Sequence, residues 1–178
     1  MTTRTIDLEA AISDVMSSPK QVGTLQLIAV RPAENLRTVV EVVDVSSDAG
    51  LDGDNWLERA SVGEHVSRHA QVTLMNSRFA DAITPEGEGW ELAGDQLYVD
   101  FDISVANTPP GTRVEVGEVV LEISEVPHTG CAKFSKRFGR DMLKATLSDR
   151  GKQLRLRGVN ATVVNGGTVR TGDQIKKL

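Results

Sequence analysis

The chain has 178 residues, 39% hydrophobic and 25% charged, with a formal net charge of −5. That composition describes a globular domain long enough to bury a core, and it argues against nucleic-acid binding, which needs a surplus of phosphate-neutralising cations. No apolar run approaches the roughly 20 residues that span a bilayer, the start Met1-Thr2-Thr3-Arg4 has no secretory pattern, and one cysteine forms no internal disulfide, so a cytoplasmic protein without a membrane partner is expected.

Ile6, Ala10, Ile12, Val15 and Met16 fall at helical spacing and Ser17-Ser18-Pro19 stops the pattern, which predicts a short helix in an N-terminal extension over residues 1–20. A single domain over 21–178 follows. Val22 to Val30 and Thr38 to Val45 read as a hairpin joined by the polar stretch Arg31 to Arg37. Gly50-Leu51-Asp52-Gly53-Asp54 reads as a tight turn. It fails as an EF-hand, because Trp56, Leu57 and Gly63 fall where an oxygen ligand, the glycine and the glutamate belong.

Ala70 to Met75 predicts a strand, and Asn76 caps a helix running to Ile83. Tyr98 to Val105, Thr112 to Val116, Val119 to Val126 and Leu154 to Val164 predict further strands. Arg140 to Leu147 reads as a helix, Asn165-Gly166-Gly167 as a hairpin turn, and the stretch around Gly172-Asp173 as the last strand. About eight or nine short strands with small helices between them point to a barrel or closed sandwich, and a closed barrel would turn Val39, Val72, Val99, Leu121 and Val163 inward. There is no Walker loop, no strand-linked Gly-x-Gly-x-x-Gly, and no zinc spacing among His65, His69 and His128.

The segment Val126 to Arg140 carries the densest chemistry: Cys131, His128, Lys133, Lys136, Arg137 and Arg140. Pro127 ends the preceding strand, Thr129-Gly130 turns the chain, and Ala132 can begin a short helix whose unpaired N–H groups favour a thiolate at Cys131. A thiolate is both a nucleophile and a soft metal ligand, and the cations suit a small anion. A lone cysteine is also a common buried apolar residue, and a run of cations is often only a solvated helix face.

Gly50-Leu51-Asp52-Gly53-Asp54, Gly94-Asp95-Gln96-Leu97, Pro110-Gly111-Thr112-Arg113-Val114-Glu115-Val116-Gly117, Cys131, Arg157-Gly158-Val159 and Gly166-Gly167-Thr168-Val169-Arg170-Thr171-Gly172-Asp173 occur in one order along the chain. Together they resemble the MOSC family, named for the C-terminal domain of molybdenum cofactor sulfurases. The resemblance implies a mainly β fold, a closed antiparallel β-barrel of the pyruvate-kinase type with a few short helices. It also implies a molybdopterin-type molybdenum cofactor, with Cys131 as molybdenum ligand or persulfide carrier. Candidate cofactor contacts are Arg68, Asp95, Gln96, His128, Lys133, Lys136 and Arg137. Relatives often carry Gly-Glu-Asn-Leu where this chain has Gly94-Asp95-Gln96-Leu97.

Three readings remain open: a reductase of N-hydroxylated compounds, a sulfur carrier using a Cys131 persulfide, and a noncatalytic binding module. The first two imply a small-molecule substrate and a separate electron- or sulfur-donor protein. Pyridoxal phosphate enters only through the sulfurase partners of the family, since no lysine here sits in a Schiff-base motif.

Overall fold

In a computed structural model that describes residues 6–61 and 67–178, the strand pattern of the sequence becomes a closed barrel. Strand β1 (Val22–Val30) alternates exposed and buried residues over its first half, then is buried on both faces from Ile28 to Val30. β2 (Thr38–Val40) pairs antiparallel with its end, as the predicted hairpin requires. The chain then leaves for a small second sheet formed by β3 (Val42–Ser46) and β4 (Gly50–Leu51). The remaining strands are β5 (Val72–Asn76), β6 (Leu97–Asp100), β7 (Arg113–Val116), β8 (Val119–Ile123), β9 (Val159–Asn165), β10 (Gly167–Arg170) and β11 (Gln174–Lys177).

Seven of these strands close on themselves in the order β11-β7-β8-β9-β5-β6-β1, with β1 pairing back to β11. All the barrel pairings are antiparallel except β5 with β6. Val72, Val99, Leu121 and Val163 lie in the interior, at 0 to 4% exposure. Val39 does not: it is 45% exposed, because β2 flanks β1 outside the closed ring. The predicted hairpin at Asn165-Gly166-Gly167 is instead a change of sheet. β9 belongs to the barrel and β10 pairs with β3, and Gly166 allows the crossing because a Cβ there would lie 2.5 Å from the Val45 carbonyl oxygen.

The outer faces of β1, β5 and β6 are covered by helices, so β5 is buried along its whole length. Helix α1 (Leu8–Met16) starts at Asp7, whose carboxylate accepts from Ala10 N, and packs its Ile12 and Val15 towards α3. Two short helices, α2 (Trp56–Ser61) and α3 (Ser77–Ile83), follow β4 and β5 respectively. Asn76 caps α3 as predicted: its side-chain oxygen accepts from Arg78 N and Phe79 N, while Nδ2 donates to Ser18 Oγ and the Phe101 carbonyl. Three helices, α4 (Ala132–Phe138), α5 (Arg140–Leu147) and α6 (Asp149–Leu154), run between β8 and β9. Phe134, Phe138 and Met142 from α4 and α5 complete this outer apolar layer with Phe79 and Tyr98. Among the described residues no helix is long and apolar enough to cross a membrane.

A buried carboxylate and an exposed thiol in the candidate functional site

β8 ends at Ile123, short of the Val126 limit read from composition; Ser124 N still donates to the Asn160 carbonyl of β9, and beyond it the backbone turns to side-chain partners. The Ser124 hydroxyl accepts from Val126 N, and the Val126 carbonyl accepts from Asn160 Nδ2 at 3.0 Å. The freed segment then crosses the barrel end to α4. His128 anchors it there, with Nε2 at 2.7 Å from Asp95 Oδ1. The other oxygen of Asp95 accepts from Arg157 Nη1, whose Nη2 donates to the Ala93 carbonyl at 3.0 Å.

Asp95 is wholly buried and Arg157 nearly so. Burial alone would raise the Asp95 carboxyl. The charges of Arg157 and His128, with their hydrogen bonds, reverse that and hold it below its ordinary value. The Arg157 guanidinium also lies 5.0 Å over the Phe134 ring, which ties the buried pair to α4. Gly158 makes the arrangement possible. Its φ is +104°, and an added Cβ would stand 2.5 Å from the Leu74 carbonyl oxygen and 3.1 Å from both Asp95 Oδ1 and His128 Cδ2.

Cys131 is the residue before α4 and is exposed. Burial opposes its thiolate, but the backbone N–H groups of Phe134, Lys133 and Cys131 itself, with the charge of Arg157, hold the thiol below its ordinary range. It lines a cavity of about 380 Å³ together with Arg31, Arg37, Asn55, Arg59 and Lys133. Two of these cations are balanced: Arg31 by a bidentate pair with Asp54, and Lys133 by Glu34 at 2.8 Å. Arg37 has no carboxylate partner among the described residues. Burial and the nearby charges of Arg31 and Arg137 destabilise its protonated form, and its buried Nε has no hydrogen-bond partner among the described residues.

The residues named from the sequence separate into three groups. Cys131 and Lys133 line the cavity. His128 faces the other side of the same segment, while Asp95 and Gln96 are fully buried beneath it. Gln96 Oε1 accepts from Thr73 N at 2.9 Å and from Thr73 Oγ1 at 3.2 Å, joining β6 to β5. Asp95 and Gln96 thus tie together the elements at the barrel end. Arg137 donates to the Leu92 carbonyl and stands near Arg37 without lining the cavity.

Lys136 is exposed on α4, and Arg68 is exposed on a turn beside β9, 3.7 Å from Asp48; neither lines the cavity. His65 lies outside the described residues. Arg31, Arg37, Asn55 and Arg157 were missed as site residues. The three arginines offered a signal: two stand in one short polar connection, and the third in a family motif.

The fold and site define a class: a closed β-barrel carrying an exposed thiol beside a cavity rich in cations. The MOSC domain matches residues 64–176, and the chain belongs to that family. No curated protein matches the chain. Among solved structures, YuaD from Bacillus subtilis is similar at a TM-score of 0.59 and 13% identity, covering 88% of this chain and 95% of its own. YiiM from Escherichia coli is similar at a TM-score of 0.57 and 16% identity, covering 87% of this chain and 69% of its own. YiiM from Geobacillus stearothermophilus is similar at 0.55 and 14%, covering 90% and 74%. These likenesses concern the fold.

Proposed function

We propose that the protein binds a molybdenum cofactor of the molybdopterin type in the Cys131 cavity, with the Cys131 thiolate as the protein ligand to the metal. The observation that carries this reading is the pairing in one cavity of an exposed thiol held below its ordinary range with Arg37, which has no carboxylate partner among the described residues. The cavity volume, about 380 Å³, is in the usual range for small-molecule sites. Among the described residues no three His, Cys, Asp or Glu side chains are grouped to hold a bare ion, so a metal here would arrive with other ligands of its own.

The donor set fits that group. Arg37, supported by Arg31 and Lys133, would hold a phosphate. Asn55 Oδ1, buried and without a partner among the described residues, would accept from a ring N–H. When bound, the cofactor supplies a redox-active metal with sulfur ligation. The chain itself favours ionisation of the thiol through the backbone N–H groups at the start of α4, and Asp95 fixes the segment bearing it through His128.

An exposed thiol held below its ordinary range also suits a persulfide, which keeps the sulfur-carrier reading open. The test is to purify the protein from a host that makes the cofactor and to measure molybdenum, pterin and cyanide-releasable sulfur together. Molybdenum and pterin in equal amount support the proposal, and sulfur released without either supports the carrier. Arg37→Gln should lower cofactor retention about tenfold or more, the effect of losing one charge-assisted hydrogen bond.

A further inference from the structure

A second recess, larger than the Cys131 cavity, lies on the other side of the Pro127–Thr129 segment, with a volume of about 560 Å³. Val105, Pro110, Val126 and Leu147 give it apolar walls. Two cations reach it from the end of α6: Lys152, which is exposed, and Arg155. Arg155 is unusual on two counts. It is a non-glycine residue at φ +51°, a left-handed conformation that aims its half-buried side chain across the fold. Its Nη1 donates to the Ile103 and Thr108 carbonyls and to Thr108 Oγ1, which leaves the guanidinium without a carboxylate among the described residues.

Burial lowers the Arg155 pKa with no acidic group to offset it. Among the described residues the one carboxylate lining the recess is the exposed Glu125, and the nearby Arg157 is already neutralised by Asp95. His128 adds a ring whose Nε2 is fixed on Asp95, leaving Nδ1 with no hydrogen bond among the described residues.

We propose that this recess is a second ligand site, distinct from the Cys131 cavity, that takes a small organic anion. Its carboxylate pairs with Arg155 and Lys152, its apolar body lies against Val126 and Leu147, and His128 Nδ1 is available to a polar substituent. A half-buried guanidinium held in place by carbonyls and lacking a counterion is preorganised for a carboxylate, and an apolar wall beside it selects an organic anion over inorganic phosphate. The site uses none of the residues that line the Cys131 cavity, so it stands whether or not that cavity holds the cofactor.

The test is a titration of the full chain, isotopically labelled, with sodium benzoate, benzamide and inorganic phosphate, read by amide chemical shifts. Benzoate should shift Thr129, Gly151, Lys152 and Gly158 saturably, and benzamide and phosphate should each need about tenfold higher concentration or more. Leu147→Trp, which fills the recess from a partly exposed helix position, should abolish the shifts. Lys152→Gln, at an exposed position where folding is not at issue, should weaken benzoate about threefold, an amount ordinary for one exposed charge. Absence of saturable shifts, equal response to benzoate and benzamide, shifts centred on Asn35 and Arg37, or an unchanged affinity in Lys152→Gln would each overturn the proposal.

Discussion

Replacing Asp95 by alanine probes the group on which the site's architecture rests. Asp95 is wholly buried and accepts from both Arg157 and His128, at 2.5 and 2.7 Å. Arg157 is itself 8% exposed at its side chain, so the substitution strands a guanidinium where water cannot replace the lost carboxylate. Removing one member of a buried ion pair costs about 3–5 kcal/mol, a large share of the roughly 5–15 kcal/mol that holds a domain of this kind folded. Urea denaturation at neutral pH measures it directly.

The pH dependence has a fixed sign. The folded-state carboxyl lies below its ordinary value of 3.8, so its contribution is fully present above that value and is lost as the pH falls through the lower folded value. The gap between wild type and Asp95→Ala should therefore be constant near neutrality and narrow only below about pH 4. A loss under about 1 kcal/mol, or a gap that narrows between pH 8 and pH 5, would refute the reasoning.

Three further outcomes are expected. Gly158→Ala places a Cβ 2.5 Å from the Leu74 carbonyl oxygen at a φ of +104°, and should lose about 1–3 kcal/mol or more in thermal or urea unfolding. Asn76→Ala removes the cap of α3 and should lose about 1–2 kcal/mol, with the adjacent Ser18 and Phe101 partners adding to it. Cys131 should react with iodoacetamide with a midpoint below the ordinary thiol value of 9.0, and unfolding in urea should return the midpoint to that value, because the N–H groups at the start of α4 are then dispersed.

Much of the barrel was legible because strand alternation is a local signal: Val72, Val99, Leu121 and Val163 are inward as their pattern required. Local pattern carries no information about which sheet a strand joins. Val39 alternates like its neighbours, yet β2 lies outside the ring, and Gly166-Gly167 looks like a hairpin turn but carries the chain from one sheet to another. Helix α6 falls in the gap between the helix read over Arg140 to Leu147 and the strand read from Leu154, a stretch too short and polar to show a pattern, although Ser148, whose hydroxyl accepts from Gly151 N, is a cap signal.

In the site, Cys131 and Lys133 stood out by proximity in sequence. Arg31, Arg37 and Asn55 join them only through the closure of the barrel, across a separation that no motif spans. Asp95 and Gln96 were identified as candidates because an acid and an amide stand out in a family motif. Their burial depends on the β5–β6 and Arg157 contacts, which are tertiary.

The central claim is that the Cys131 thiolate is the protein ligand to molybdenum, and X-ray absorption at the molybdenum edge tests it most directly. Cofactor-loaded wild type and Cys131→Ser should be compared at equal molybdenum content. The account predicts that the metal loses one sulfur neighbour in Cys131→Ser while the remaining sulfur shell is kept. An identical sulfur shell in the two proteins would contradict it.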